Sequence, residues 1–175
     1  GPCLPINSYQ LLNTAKRIGS KLSIIELGRK INENMPQHVI ELTTDAFSEC
    51  NISLEKSEIL ILGISYKPNV KDVQLSPAEE IIKKLQKLGA NIHIYDPYFF
   101  SNEVFGIKVE DNLQEILPKM NAAIIVTGHD DFKKIQISSF TNMKNSILID
   151  TRGIIEPHLI KQHNIIFRGL GRGGF

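Results

Sequence analysis

A few side chains in this 175-residue sequence have the type and setting to do chemistry. Cys3 stands two residues before Pro5 and just ahead of a helical pattern. A thiol near a helix N-terminus is biased toward the thiolate and becomes a better nucleophile. Tyr66 and Lys67 lie in a loop, Gly63-Ile64-Ser65-Tyr66-Lys67-Pro68-Asn69-Val70-Lys71-Asp72, between an apolar run and a helix start. A lysine close to a helix N-terminus suits an anion or a sugar hydroxyl. The loop is not GxGxxG, so it is a poor dinucleotide fingerprint. Arg152 follows Asp150 at the end of another apolar run and could grip a phosphate through two N–H bonds. Asp96, before Pro97, could hold a ribose or could simply mark a turn. Each has a plainer alternative: an inert thiol, solvated loop lysines, and an ion pair of Arg152 with Asp150 or Glu156. Cys50 reads as structural.

These positions are served by two kinds of element. Residues up to about 50 read as helical. Ser8 can cap a helix running to about Ile18, with Gly19 as its stop. From 22 to about 50, apolar residues recur in steps of three and four at Ile24, Leu27, Ile31, Met35, Val39, Leu42 and Ala46. As one helix this stretch is roughly 40 Å long. Pro36 predicts a kink or a break inside it. Its stripe needs a partner, either another domain or another subunit.

Beyond it, strands and helices alternate. Residues 58–65 read as a buried parallel strand around Ile59-Leu60-Ile61-Leu62. Ser76-Pro77-Ala78-Glu79 reads as a capping box, with Glu79 reaching back. The helix it opens buries Ala78, Ile81, Ile82, Leu85 and Leu88 and ends at Gly89. Strands are expected at 91–95, 107–109, 122–127, 146–150 and 165–167, with helices at 112–120 and 130–135. The fold class is therefore α/β: a helical segment over 1–50, then a Rossmann-like doubly wound parallel sheet over 51–175. Ligands bind such sheets beyond the C-terminal strand ends. That gathers Ser65 to Lys67, Asp96, Thr127 to His129 and Asp150 to Arg152 around one crevice.

Bulk composition narrows the class. Hydrophobic residues make up 42% and charged residues 22%, enough for a sizeable core. The formal net charge is +1 with both signs interleaved, which argues against nucleic acid and membrane surfaces as partners. The two cysteines form no CxxC pair and the histidines form no HxxxH, so no metal site is expected. Unpaired thiols suit a reducing, cytoplasmic setting. No apolar run approaches the roughly 20 residues that span a bilayer, and no signal-peptide pattern opens the chain.

Taken in order, these segments resemble the C-terminal half of the UDP-glucose/UDP-N-acetylmannosamine 6-dehydrogenase family. Gly1-Pro2-Cys3-Leu4-Pro5 is similar to the family's GGxCxP segment. The stretch from Leu22, with Ile31-Asn32-Glu33-Asn34-Met35-Pro36, is similar to its linking helix. The segment from Gly63 to Pro77 resembles GxxxKPNxxDxRxSP, the most specific of the matches. Gly89 to Tyr98 resembles GAxVxxYDPY. Asp150-Thr151-Arg152-Gly153 and Gly169-Leu170-Gly171-Arg172 fit as well.

The resemblance implies an NAD-dependent oxidation of a UDP-sugar at C6, from alcohol to aldehyde to acid. Cys3 would carry the sugar as a thiohemiacetal and then a thioester. Tyr66, Lys67 and Arg152 would hold the UDP-sugar, and Asp72 and Gln74 would face the cofactor. NAD would be bound mainly by an N-terminal domain lying ahead of Cys3. The helix over 22–50 would form a homodimer interface. Two positions depart from the pattern. Asn7 replaces an aspartate four residues after the cysteine, which would slow thioester hydrolysis if that acid helps it. Gln74 replaces an arginine expected to contact NAD. The segment after Cys3 is closer to the N-acetylhexosamine branch, which favours UDP-N-acetylmannosamine or UDP-N-acetylglucosamine, with UDP-glucose next. The chain is expected to be a fragment without turnover of its own. The competing readings are a stand-alone, non-catalytic nucleotide-sugar-binding module and an unrelated flavodoxin-like signalling domain. The second of these wants an aspartate where Ser65 stands.

Overall fold

The near-continuous apolar runs become strands covered on both faces. The computed structural model describes residues 3–172. In chain order its elements are α1 (Cys3–Arg17), α2 (Ser23–Glu49), β1 (Glu58–Leu62), α3 (Pro77–Lys87), β2 (Asn91–Tyr95), β3 (Glu103–Val104), β4 (Ile107–Lys108), α4 (Leu113–Ile116), β5 (Ala122–Ile125), β6 (Ile147–Asp150), α5 (Pro157–Ile160) and β7 (Ile166–Gly169). The main sheet has the order β2-β1-β5-β6-β7. Every neighbouring pair in it is parallel. From β1 the chain steps to β2 on one side, then crosses to β5 on the other. That reversal opens a crevice at the C-terminal ends of β1 and β5.

Strand alternation divides the core in two. Ile59 and Ile61 of β1 face a layer built from Val39, Ile40 and Phe47 of α2 and Ile81, Ile82 and Leu85 of α3. Leu60 and Leu62 face Leu113, Ile116, Phe132, Phe140 and Met143 on the other side. The second half of α2 is thus part of the sheet's own covering layer. Arg168 of β7 ties it down further, reaching Asp45 at 2.9 Å and Glu49 at 2.5 Å.

Several local expectations are corrected. Ser8 is not a cap, because α1 already begins at Cys3 and the Ser8 hydroxyl donates to the Leu4 carbonyl one turn back (2.7 Å). Pro36 does not break α2, which runs unbroken from Ser23 to Glu49. The ring is buried, and the helix sustains one missing backbone donor because its following turns are anchored in the core. Ser76 does cap α3, accepting from the Ala78 N–H. Glu79 instead turns outward to Lys83 at 2.6 Å. The short strand expected at 107–109 forms, as β4, but outside the main sheet. Ile107–Lys108 pairs antiparallel with Glu103–Val104, and only Val109 bridges to Ile94 at the sheet edge. The 112–120 helix lasts one α-turn before tightening to 3-10 over Leu117–Lys119, where Pro118 has no N–H to continue it.

Gly63, the first residue after β1, has φ +82°, and an added Cβ would lie 2.6 Å from Thr127 Cβ and 2.9 Å from its carbonyl oxygen. Gly63→Ala combines left-handed strain with a backbone collision, so it should cost about 3 kcal/mol or more in urea unfolding. The Glu58 carboxylate accepts from Asn91 at 2.9 Å and meets His93 Nε2 at 2.8 Å. Burial pushes its pKa up, but the His93 and Asn91 hydrogen bonds outweigh that and hold it below the usual value of 4.5. A depressed acid stabilises the fold above its unfolded pKa and loses that effect as pH falls through the folded one. Glu58→Gln should therefore lower stability at pH 7 and converge with the parent below about pH 4, measured by denaturation across pH.

Candidate functional site

The crevice is shaped by the loop that leaves β1. Ile64 N–H donates to Asp96 Oδ2 at 2.8 Å, fastening the end of β1 to the end of β2. The Thr127 hydroxyl donates to the Ser65 carbonyl at 2.6 Å, fastening the same point to the end of β5. Across the loop, the Ser65 hydroxyl donates to the Val70 carbonyl (2.6 Å) and Tyr66 N–H to the Asp72 carbonyl (3.0 Å). Asp72 Oδ1 accepts from Gln74 N–H at 2.9 Å, a local turn that leads into the Ser76 cap. Asn69 adopts φ +61° at the tip, a conformation asparagine tolerates better than most residues.

Tyr66 and Gln74 from this loop line one cleft of about 940 Å³ with Thr151 and Arg152 from the end of β6. Its opposite wall is made by α1 and α2, through Leu4, Tyr9, Arg29 and Pro36. Arg29 stacks over the Tyr9 ring at 5.4 Å and pairs with Glu33 at 3.3 Å. Sequence reasoning missed this wall, because nothing in a single helical stripe shows which side faces a neighbour's strand ends.

Asp150 settles the state of Arg152. Its carboxylate is fully buried. One oxygen accepts from Arg152 N–H and Gly153 N–H, the other from Ile155 N–H, all at 2.8 Å. The proposed ion pair with Asp150 is therefore absent, and among the described residues the exposed Arg152 guanidinium has no carboxylate partner. A free guanidinium on a cleft wall is suited to a phosphate or carboxylate.

The other expected residues are placed differently. Lys67 is exposed, with Nζ 5.6 Å from the Tyr66 ring centre, and does not line the cleft. Asp72 is half-buried and shapes the loop. Cys3 is exposed at the very start of α1, and Asn7 is exposed one turn later on the same face. Their neighbours Leu4, Pro5 and Ile6 line the cleft, and they themselves do not. Gly1, Pro2 and residues 173–175 lie outside the described residues. Cys50 is half-buried, and burial, then the charge of Glu49, push its thiol up against the opposing pull of Arg168. That leaves it the less reactive form.

The same geometry tests a dinucleotide. In a dinucleotide site the acid ending the second strand holds a ribose. Here Asp96 is fully buried, and its oxygens accept from Ile64 N–H, Tyr98 N–H and His129 Nε2. Buried and committed to these three donors, it is not presented to the crevice, and no glycine-rich turn follows β1. The residues of this sheet do not fit NAD.

A parallel sheet of this order, with its cleft at the strand ends around the switch point, is a doubly wound α/β domain of the kind in which nucleotides are bound at that place. The chain belongs to the UDP-glucose/GDP-mannose dehydrogenase family, matching the family's UDP binding domain over residues 60–157. It is 32% identical to a UDP-N-acetyl-D-mannosamine dehydrogenase from Pyrococcus horikoshii, over 99% of this chain and 38% of that protein. A UDP-glucose 6-dehydrogenase from Bacillus subtilis is 28% identical over 98% of this chain and 38% of its own length. Among solved structures, the Pyrococcus horikoshii enzyme superposes with a TM-score of 0.86 over 99% of this chain and 38% of that one. An NDP-N-acetyl-D-galactosaminuronic acid dehydrogenase from Methanosarcina mazei Go1 gives 0.88 at 26% identity, over 98% of this chain and 38% of that one. The chain thus spans 38% of the length of these relatives.

Asp150→Ala would strand the Arg152, Gly153 and Ile155 donors, the last of them buried. The loss should be about 3 kcal/mol in urea unfolding, since an unsatisfied buried donor costs roughly 1–3 kcal/mol.

Proposed function

We propose that the chain supplies the UDP-sugar-binding part of an NAD-dependent dehydrogenase that oxidises the C6 alcohol of a UDP-sugar to a uronic acid. The observation that carries the reading is the unpaired Arg152 on a cleft shared with Tyr66, in a chain matching the UDP binding domain. Arg152 grips the diphosphate through two N–H donors, and Tyr66 packs on the sugar or base. Lys67, one residue further along the same loop, swings from its exposed position to a sugar hydroxyl. Cys3 carries C6 as a thiohemiacetal and then a thioester, which water opens. NAD, the oxidant, is held mainly by a domain other than this one. UDP-N-acetylhexosamines are the favoured substrates, with UDP-glucose next. The product serves polysaccharide or glycan synthesis, in the cytoplasm. Ile24, Leu27 and Ile31 are 88%, 57% and 55% exposed along α2, in keeping with a homodimer through that helix.

One observation favours a second reading. Cys3 does not line the cleft, and Asn7 and Gln74 replace charged residues of the family pattern. A non-catalytic nucleotide-sugar-binding module would look the same.

Calorimetric titration with UDP, UDP-N-acetylmannosamine and UDP-glucose tests the cleft that both readings share. Binding of the UDP ligands with at least tenfold loss in Arg152→Ala, about 1.4 kcal/mol, is expected. Equal binding by parent and variant would sink the site assignment. Cys3→Ala should leave UDP affinity unchanged, and the chain alone should form no NADH from UDP-sugars. NADH formation by the unaided chain would overturn the assignment of NAD to another domain.

A further inference from the structure

His129 has no part in the reading above, yet it is fully buried directly behind the substrate loop. Its ring packs against Tyr98 at 4.9 Å and edge-on to Phe132 at 5.3 Å between ring centres. Nδ1 accepts the Asn69 backbone N–H at 2.9 Å. A ring nitrogen that accepts carries no proton, so Nε2 is the protonated one and donates to Asp96 Oδ2 at 3.1 Å. Asp96 is held in turn by Ile64 N–H and Tyr98 N–H. One buried chain of hydrogen bonds therefore runs from the ends of β1 and β2, through the imidazole beyond β5, to the tip of the loop.

That tip lies midway between Tyr66 and Gln74, the two loop residues on the cleft wall. The loop's other crossing bonds, Ser65 to Val70 and Tyr66 to Asp72, are internal to it. They fix its outline; Ile64 N–H to Asp96 and the Ser65 carbonyl to Thr127 fasten its base to the sheet, and Lys71 Nζ lies 5.4 Å from the Phe99 ring centre, which leaves the tip to be held through Asn69. Asn69 has two anchors outside the loop. One is His129. The other is a reciprocal pair with Asp130, from Asn69 Nδ2 to Asp130 Oδ2 (2.6 Å) and from Asp130 N–H to Asn69 Oδ1 (3.1 Å). The Asp130 pair is exposed and competes with water. The His129 bond is shielded by the rings around it, where an unmade bond costs more.

We propose that His129 is a positioning residue: oriented by Asp96, it sets the height of the tip of the 64–75 loop and so holds Tyr66 and Gln74 in the geometry that receives the UDP-sugar. The proposal rests on the reading of the cleft as the UDP-sugar site. It makes the dyad a brace behind the site rather than a participant in it.

Two substitutions separate the arms of the ring. His129→Asn keeps an acceptor close to the Nδ1 position and loses the arm to Asp96. His129→Gln keeps a donor toward Asp96 and loses the acceptor for Asn69. Both remove the same aromatic packing, so a purely structural role predicts similar losses in both. Amide hydrogen exchange over 66–72, measured without ligand, and UDP-N-acetylmannosamine affinity, measured well below the melting point, are the readouts. His129→Gln should exchange about tenfold faster at Asn69 and bind about tenfold more weakly, the effect of one hydrogen bond on the closed population. His129→Asn should stay within about threefold of the parent in both. Equal losses in the two variants, or faster exchange without weaker binding, would overturn the proposal. Asp130→Ala, at an exposed position, tests it without disturbing the core. Slow Asn69 exchange retained there supports His129 as the anchor, and exchange as fast as in His129→Gln assigns the anchor to Asp130 instead. Should the parent bind no UDP-sugar at all, the site reading fails, while the exchange comparison still decides what holds the loop.

Discussion

A carboxylate that leaves water must be met by donors, and two such carboxylates govern the ligand-binding end of this domain. Asp96 at the end of β2 and Asp150 at the end of β6 are both fully buried. Each collects three donors, five of the six being backbone N–H groups of the turns that follow the strands. The turns therefore have little freedom. Where the chain leaves β1, and where it leaves β6, its path is dictated by where those oxygens sit. Tyr66 and Arg152, both on the wall of the cleft, are carried by those two paths. The acids bear on the cleft through the backbone they shape.

The same constraint explains why this sheet resembles a dinucleotide-binding one without working as one. The order of strands and the switch point between β1 and β5 are those of nucleotide-binding sheets. The acid at the end of β2 stands where a ribose would be held. It is instead turned inward, with His129 and two N–H groups occupying its lone pairs. A side chain cannot serve a buried network and a solvated ribose at once. The crevice remains, and the polar groups on its wall include those of Arg152 and of the 64–75 loop beside it.

Strand and helix existence was legible because the covered sheet forces long apolar runs, and Ile59-Leu60-Ile61-Leu62 can be little else. The Ser76 cap was legible for a local reason, a side-chain acceptor, whereas Gly63 read as the interior of a strand over 58–65 and instead turns the chain just after β1 ends at Leu62. What escaped depended on pairs far apart in sequence. Ser8 looked like a cap because its residue type suits one, yet a hydroxyl inside a helix can bond the carbonyl one turn back just as well. Glu79 found Lys83 four residues on rather than the backbone behind it. Ile107 had the composition of a strand and became one, but its partner is Val104 of β3, just before it in the chain, rather than the main sheet. Arg152 seemed provided with a partner in Asp150, two residues away. Only the folded turn shows that acid fully engaged by N–H groups.

Cys3 marks where the domain's own physics stops carrying the chemistry. It sits on the first turn of α1, exposed, with Leu4, Pro5 and Ile6 rather than itself on the cleft wall. The wall those residues help form is polar at Arg29 and apolar at Leu4 and Pro36, and it faces Arg152 across a space of about 940 Å³. On the proposed reading, a diphosphate held by Arg152 extends its sugar toward the α1 and α2 wall of the same cleft. The thiol needs only to meet the far end of that sugar, while the near end is fixed by the loop and the arginine. Separating grip from reaction in this way leaves binding to the rigid strand ends. On the proposed reading the reacting sulfur is carried by the exposed first turn of α1.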